Sequence, residues 1–110
     1  MANTFKNYTS RNIGTSPVTV GSYTVGASTQ TTLIGLTAAN LLTSAITVDI
    51  MLNDGANDTY IVKNAPIPAG GTLVAVGGDQ KVVMETGDSI KVVSNTATSC
   101  DVIISLLEIT

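Results

Sequence analysis

From Ile46 to Leu52 apolar and polar positions alternate one for one: Ile46, Val48, Ile50 and Leu52 share one side of an extended chain, and Thr47, Asp49 and Met51 the other. A period of two belongs to a strand, because successive side chains leave opposite faces of a pleated backbone. The segment is therefore predicted to be a half-buried strand. It runs into Asn53-Asp54-Gly55-Ala56-Asn57-Asp58, residues that tolerate positive φ and bond their own backbone. Thr59 to Val62 then resume a β-type sequence. Strand, turn and strand read as a hairpin.

The same pattern recurs at Phe5 to Ile13, Val18 to Val25, Thr31 to Ala38, Leu73 to Val76, Lys81 to Met84, Ser89 to Ser94 and Cys100 to Ile109. Gly70-Gly71, Gly77-Gly78-Asp79 and Gly87-Asp88 supply corners, while Pro66 and Pro68 suit an edge or a crossover because proline donates no ladder bond. Ala38 to Leu42 reads as a loop or edge bend, since the β-branched run that follows argues against a helix. Many short strands at close spacing predict an all-β fold, a two-sheet antiparallel β-sandwich of jelly-roll or immunoglobulin-like type with about eight strands. No linker or repeat divides residues 1–110, so one domain is expected. Residues 1–13 are either an N-terminal arm or its first strand.

Hydrophobic residues make up 44% of the chain and charged ones 12%, which sets charge-driven disorder aside. Aromatics are limited to Phe5, Tyr8, Tyr23 and Tyr60, so the core must be aliphatic. Net charge is -3, and Lys6, Arg11, Lys63, Lys81 and Lys91 are scattered, whereas a nucleic-acid footprint needs clustered positive charge. Soluble monomers carry roughly a quarter of their residues charged, about twice the share here. Much of the surface is thus expected to be covered by copies of the chain or by other subunits. The last segment points the same way. Val102, Ile104 and Leu106 lie on one face and Ile103, Leu107 and Ile109 on the other, so neither face is designed for water. Phe5, Tyr8, Ile103, Leu107 and Ile109 are the candidate interface residues, with Phe5 and Tyr8 as anchors if the N-terminus is an arm that joins a neighbour's sheet edge.

Histidine is absent, which removes the commonest general base and metal ligand and every nucleophile pair built on it. Cys100 is the sole cysteine and reads as a core filler. The carboxylates sit mostly in turns, and an acid-base pair among Asp54, Asp58 and Asp79 would lack the aromatic platforms of a sugar cleft. Asn53 to Asp58 lacks the spacing of a calcium loop, and the glycine-rich stretches lack the lysine and following helix of a phosphate loop. No catalytic residue, cofactor or metal is expected. Met1 to Tyr8 is polar where a signal peptide would be apolar, and no run is long enough to cross a bilayer. Synthesis in a cytoplasm, with no membrane or nucleic-acid partner, is the expectation.

Three stretches carry a family resemblance: Phe5 to Ser16, Val62 to Gly71 with its Pro66-Ile67-Pro68, and Gly78 to Val92 with its Gly87-Asp88-Ser89-Ile90-Lys91-Val92. Together they resemble small accessory virion structural proteins of tailed bacteriophages, particularly those of marine bacteria and cyanobacteria. The resemblance implies a non-enzymatic subunit in many copies on the virion, as a head decoration protein or a neck, tail or baseplate component, contacting copies of itself and other virion proteins as a homo-oligomer. A second class of function is a host-surface glycan-binding module, with Tyr23 and Tyr60 as platforms.

Overall fold

The structure, a computed structural model, describes residues 2–110. Nine strands form: β1 Asn3–Ile13, β2 Val18–Thr24, β3 Gln30–Asn40, β4 Ile46–Asn53, β5 Asp58–Ile67, β6 Thr72–Val76, β7 Val82–Met84, β8 Ser89–Ser94 and β9 Cys100–Ile109. One sheet has the order β1-β9-β3-β6 with β7 also on β3, and the other has the order β2-β8-β4-β5. All pairings are antiparallel, and they nest: β1 with β9, β2 with β8, β3 with β6 and β7, β4 with β5. A chain paired in this way is one long hairpin, closed at the Asn53 to Asp58 turn, rolled so that most successive strands fall in opposite sheets. That is the jelly-roll form of the β-sandwich.

Alternation along each strand puts one apolar set between the sheets. Leu33, Leu36, Ala38, Val102, Ile104 and Leu106 come from the first sheet, and Val20, Ile46, Val48, Ile50, Ile90 and Val92 meet them from the second. Cys100 fills space in the same core. Burial pushes its thiol up to about 11, which suits an inert filler.

The segments read from alternation become strands, with differences at three places. β3 runs through Asn40 rather than bending at Ala38. Asn40 is buried, and its side-chain amide donates to the carbonyls of Ser44, Ile67 and Pro68 while its Oδ1 accepts from the Leu42 amide. The side chain thereby does the work of a turn, and the backbone stays extended. β5 continues from Val62 to Ile67 across a bulge, where Asn64 takes φ 51° and donates its amide to Asp49 Oδ1. Pro66 sits in this edge strand, where its missing N–H costs no ladder bond. Residues 3–13 are the first strand of the domain, in register with β9 from Asn3↔Ile109 to Ser10↔Val102, so the arm reading gives way.

Where β1 and β2 meet, Tyr8 stacks on Tyr23 with ring centroids 4.5 Å apart. Gly21 makes that contact feasible. Its φ is +59°, its amide donates to Ser10 Oγ, and a Cβ there would stand 2.5 Å from the Tyr8 Cβ. Gly21→Ala is therefore expected to destabilise the fold by about 1–3 kcal/mol, through combined strain and overlap. Urea unfolding would register this as a lower midpoint with an unchanged slope; an unaltered midpoint would contradict the packing described.

Candidate assembly face

Cross-strand pairing in the five-stranded sheet, interrupted by bulges between Leu33 and Gly35 and between Leu36 and Thr37, sets its outward residues in rows. Phe5, Leu107, Thr32 and Val83 make one row, and Thr9, Ile103, Thr37 and Val74 another. Between them runs a row of small or polar residues, Asn7, Ser105 and Gly35. Phe5 is 75% exposed, Val83 69%, Val74 63% and Ile103 44%, so four large apolar side chains of one face stand in solvent. Around Ile103 the short side chains of Thr9, Thr37 and Ala39 leave a hollow of about 290 Å³, bounded by Arg11 and Asp101. Those two, of opposite sign, stand together at one end of the face.

The outward face of the four-stranded sheet is of another kind. It carries Asp49, Asp58, Lys63 and Lys91, with Lys63 Nζ 3.5 Å from Asp49 Oδ2 and 4.5 Å from the centre of the Tyr60 ring. Met51, the apolar residue in the middle of this face, is buried, with Tyr60 and Lys91 as its cross-strand neighbours. Long amphipathic side chains cover apolar surface while keeping their charge in water, so this face is finished for solvent. The first one is not.

Of the candidate interface residues, Phe5, Ile103, Leu107 and Ile109 come together on the apolar face. Tyr8 does not: it points inward, half-buried against Tyr23. Phe5 and Tyr8 are three apart, and three steps along a strand reverse the face. Alternation shows that Val74 and Val83 face away from Leu73 and Met84, but placing them beside Phe5 and Ile103 takes the register across β3. Tyr23 is buried and offers no platform to a saccharide.

The remaining chemical candidates resolve into turn and core structure. Asp54 Oδ1 accepts from the amides of Ala56 and Asn57, and Asn53 Oδ1 accepts from the Gly55 amide. These backbone donors hold the Asp54 carboxyl below its usual range, and the turn uses its own oxygens. Among the described residues no group of three or more acidic or cysteine side chains is placed to hold a metal. Among the described residues no helix is long and apolar enough to cross a membrane.

One polar cluster closes the inner side of the β1 and β9 ends. The Tyr23 hydroxyl donates to Glu108 Oε2 at 2.7 Å and accepts from Thr31 Oγ1 at 2.8 Å, while Lys6 Nζ lies 3.2 Å from Glu108 Oε1. Tyr23 has one proton to give, so Thr31 must be its donor. Burial raises the Tyr23 phenol to about 12, and the bond from Tyr23, then Lys6, holds the Glu108 carboxyl below its ordinary 4.5.

No protein-family model matches the chain, and no curated protein matches it. Among solved structures, one described under "Bacillus endospore appendages form a novel family of disulfide-linked pili" is similar to it, with a TM-score of 0.54 at 12% identity over 99% of this chain and 87% of that one. At this identity the likeness concerns the fold.

A carboxyl held below its unfolded value stabilises the fold above that value and loses the contribution as pH falls through the folded one. Replacing Tyr23 with Phe removes the largest cause. The Glu108 carboxyl should then titrate closer to 4.5, read from its carboxyl-carbon shift by NMR, and the variant's stability should fall less steeply in acid. A titration curve unchanged by the substitution would show that Tyr23 does not hold the carboxylate.

Proposed function

We propose that the chain is a non-catalytic structural subunit, present in many copies, that associates with itself and with other virion proteins of a tailed phage as a head decoration, neck, tail or baseplate component. The apolar outward face of the five-stranded sheet is the observation that carries this reading. Exposed apolar surface on the order of several hundred Å² marks an interaction site, and a face four strands wide and about ten residues long spans roughly 600 Å², on the scale of one partner's share of an interface. Low charge supports the same reading, since close packing of copies then meets little repulsion. The placement on a virion rests on the sequence resemblance.

The similar solved structure belongs to disulfide-linked pili, which is in line with a fold of this kind serving as a building unit. This chain would not use the covalent link. Its sole cysteine, Cys100, lies in the core with its thiol fully covered, so its contacts would be apolar and non-covalent.

Purified protein is expected to sediment above its 11.2 kDa chain mass or to bind virions in stoichiometric amounts, with reductant having no effect. Ile103→Ser and Val74→Ser should each weaken that association by about tenfold, the equivalent of roughly 1.4 kcal/mol of lost apolar burial. A monodisperse monomer that ignores virions would remove the proposal.

A further inference from the structure

The backbone of β1 is open along its outer side. Ala2 and Thr110 exchange both hydrogen bonds, Ala2 N to Thr110 O and Thr110 N to Ala2 O, each 2.9 Å. In an antiparallel ladder such pairs alternate with pairs whose backbone groups point away. The register runs without a shift from Asn3 to Ser10, so Thr4, Lys6, Tyr8 and Ser10 direct their backbone groups at β9. Asn3, Phe5, Asn7 and Thr9 direct theirs outward, where no strand lies beyond β1.

The other edges are blunted. β5 has Pro66 and the Asn64 bulge, and β2 turns through positive φ at Gly21 and Ser22. The β6 and β7 edge is split by the Gly77 to Gln80 turn. Prolines, bulges, short strands and edge lysines are the usual devices that stop edges from pairing; between Asn3 and Ser10 β1 has no proline or bulge, and its one lysine, Lys6, is engaged by Glu108 within its own chain.

We infer that two copies of this chain join β1 to β1 across a two-fold axis at Asn7, making one continuous sheet from both five-stranded sheets. The inference deepens the proposed self-association and rests on it. An isologous contact requires the edge to be complementary to itself, and this one is. With Asn7 on the axis, Asn7 meets Asn7 of the second copy and Phe5 meets Thr9, so every backbone group pointing out of one edge between Phe5 and Thr9 meets one pointing out of the other. Lys6 falls opposite Tyr8, and Arg11 opposite Asn3. Moving the axis to Lys6 would set two lysines face to face, which is disfavoured. Moving it to Tyr8 would leave Asn3, Thr4 and Phe5 without partners inside the unshifted stretch, which ends at Ser10. Within the unshifted stretch from Asn3 to Ser10, an axis at Phe5 or Tyr8 pairs only five residues of each copy, whereas the axis at Asn7 pairs the seven from Thr4 to Ser10; length and charge together favour that alignment, and a second copy supplies it without any other partner.

Asn7→Pro tests this directly, because it deletes an outward N–H at the axis and leaves the ladder to β9 intact. Sedimentation equilibrium should give twice the 11.2 kDa chain mass for the parent protein, or a multiple of that pair. Asn7→Pro should halve the building unit with the far-ultraviolet circular dichroism unchanged. In the parent protein, the amides of Phe5, Asn7 and Thr9 should gain hydrogen-exchange protection as concentration rises. A parent that is monomeric at all concentrations overturns the inference, as does a paired, folded Asn7→Pro protein. Should Asn7→Pro unfold, unprotected amides at Phe5, Asn7 and Thr9 in the parent overturn it on their own. The Ile103→Ser, Val74→Ser double variant separates the two ideas: it should keep the pair and lose larger assembly or virion binding. A pair that never assembles further in the parent defeats the structural-subunit reading and leaves the edge contact standing.

Discussion

The pairing of β9 on both sides, with β1 and with β3, is the constraint on which the rest of the molecule depends. A central strand has no free backbone groups, so its position is decided by the two ladders and its side chains must suit whatever lies above and below. On the inner side Val102, Ile104 and Leu106 complete the core. On the outer side Ile103, Leu107 and Ile109 are carried into a layer that this chain does not cover with anything of its own. Both apolar faces of one strand thus come from one choice of sequence: the inner face closes the sandwich, and the outer face leaves it unfinished.

The nested pairing also places the turn and the termini. Rolling a hairpin from its Asn53 to Asp58 end brings the first and last strands together, so Ala2 and Thr110 exchange bonds at the far end of the ladder. The first strand then becomes an outer edge, and the small-residue row of Asn7, Ser105 and Gly35 runs inward from it between the two apolar rows. Beneath that edge, Tyr8, Tyr23, Thr31, Glu108 and Lys6 form a closed polar and aromatic cluster, and no buried side-chain polar atom of the described residues is left without a partner. The inside of β1 is fully committed, so variation at its outward positions is insulated from the core.

Much of the fold was legible because its signals are local. Alternation located the strands, and the Asn-Asp-Gly turn located the one hairpin that starts the roll. What the sequence left hidden depends on partners distant along the chain. Asn40 keeps β3 straight through bonds to Ser44, Ile67 and Pro68, contacts that no window around Ala38 contains. β5 outlasts its obvious β-branched run because Asp49, on the neighbouring strand, receives the amide of the Asn64 bulge. The apolar face was half visible: alternation within the last strand separates Ile103 and Leu107 from the core set, but adding Val74 and Val83 takes a register across β3. Tyr8 was grouped with Phe5 by character, although their spacing already put them on opposite faces.

The contrast between the two sheets bears on why a small, weakly charged sandwich keeps one side open. The four-stranded sheet shows that this sequence can finish a surface: Lys63 pairs with Asp49, Met51 is covered, and both edges are bent or capped with proline. Had the five-stranded sheet faced only water, Phe5, Val74, Val83 and Ile103 could have been polar at no cost to the core, since none of them touches it in the buried cluster. Exposed apolar side chains and an unbroken edge both raise the hazard of unwanted association. Both features occur on the five-stranded sheet, whereas on the four-stranded sheet the exposed Tyr60 lies under the Lys63 ammonium and both edges are interrupted, so the two faces differ in how they meet water.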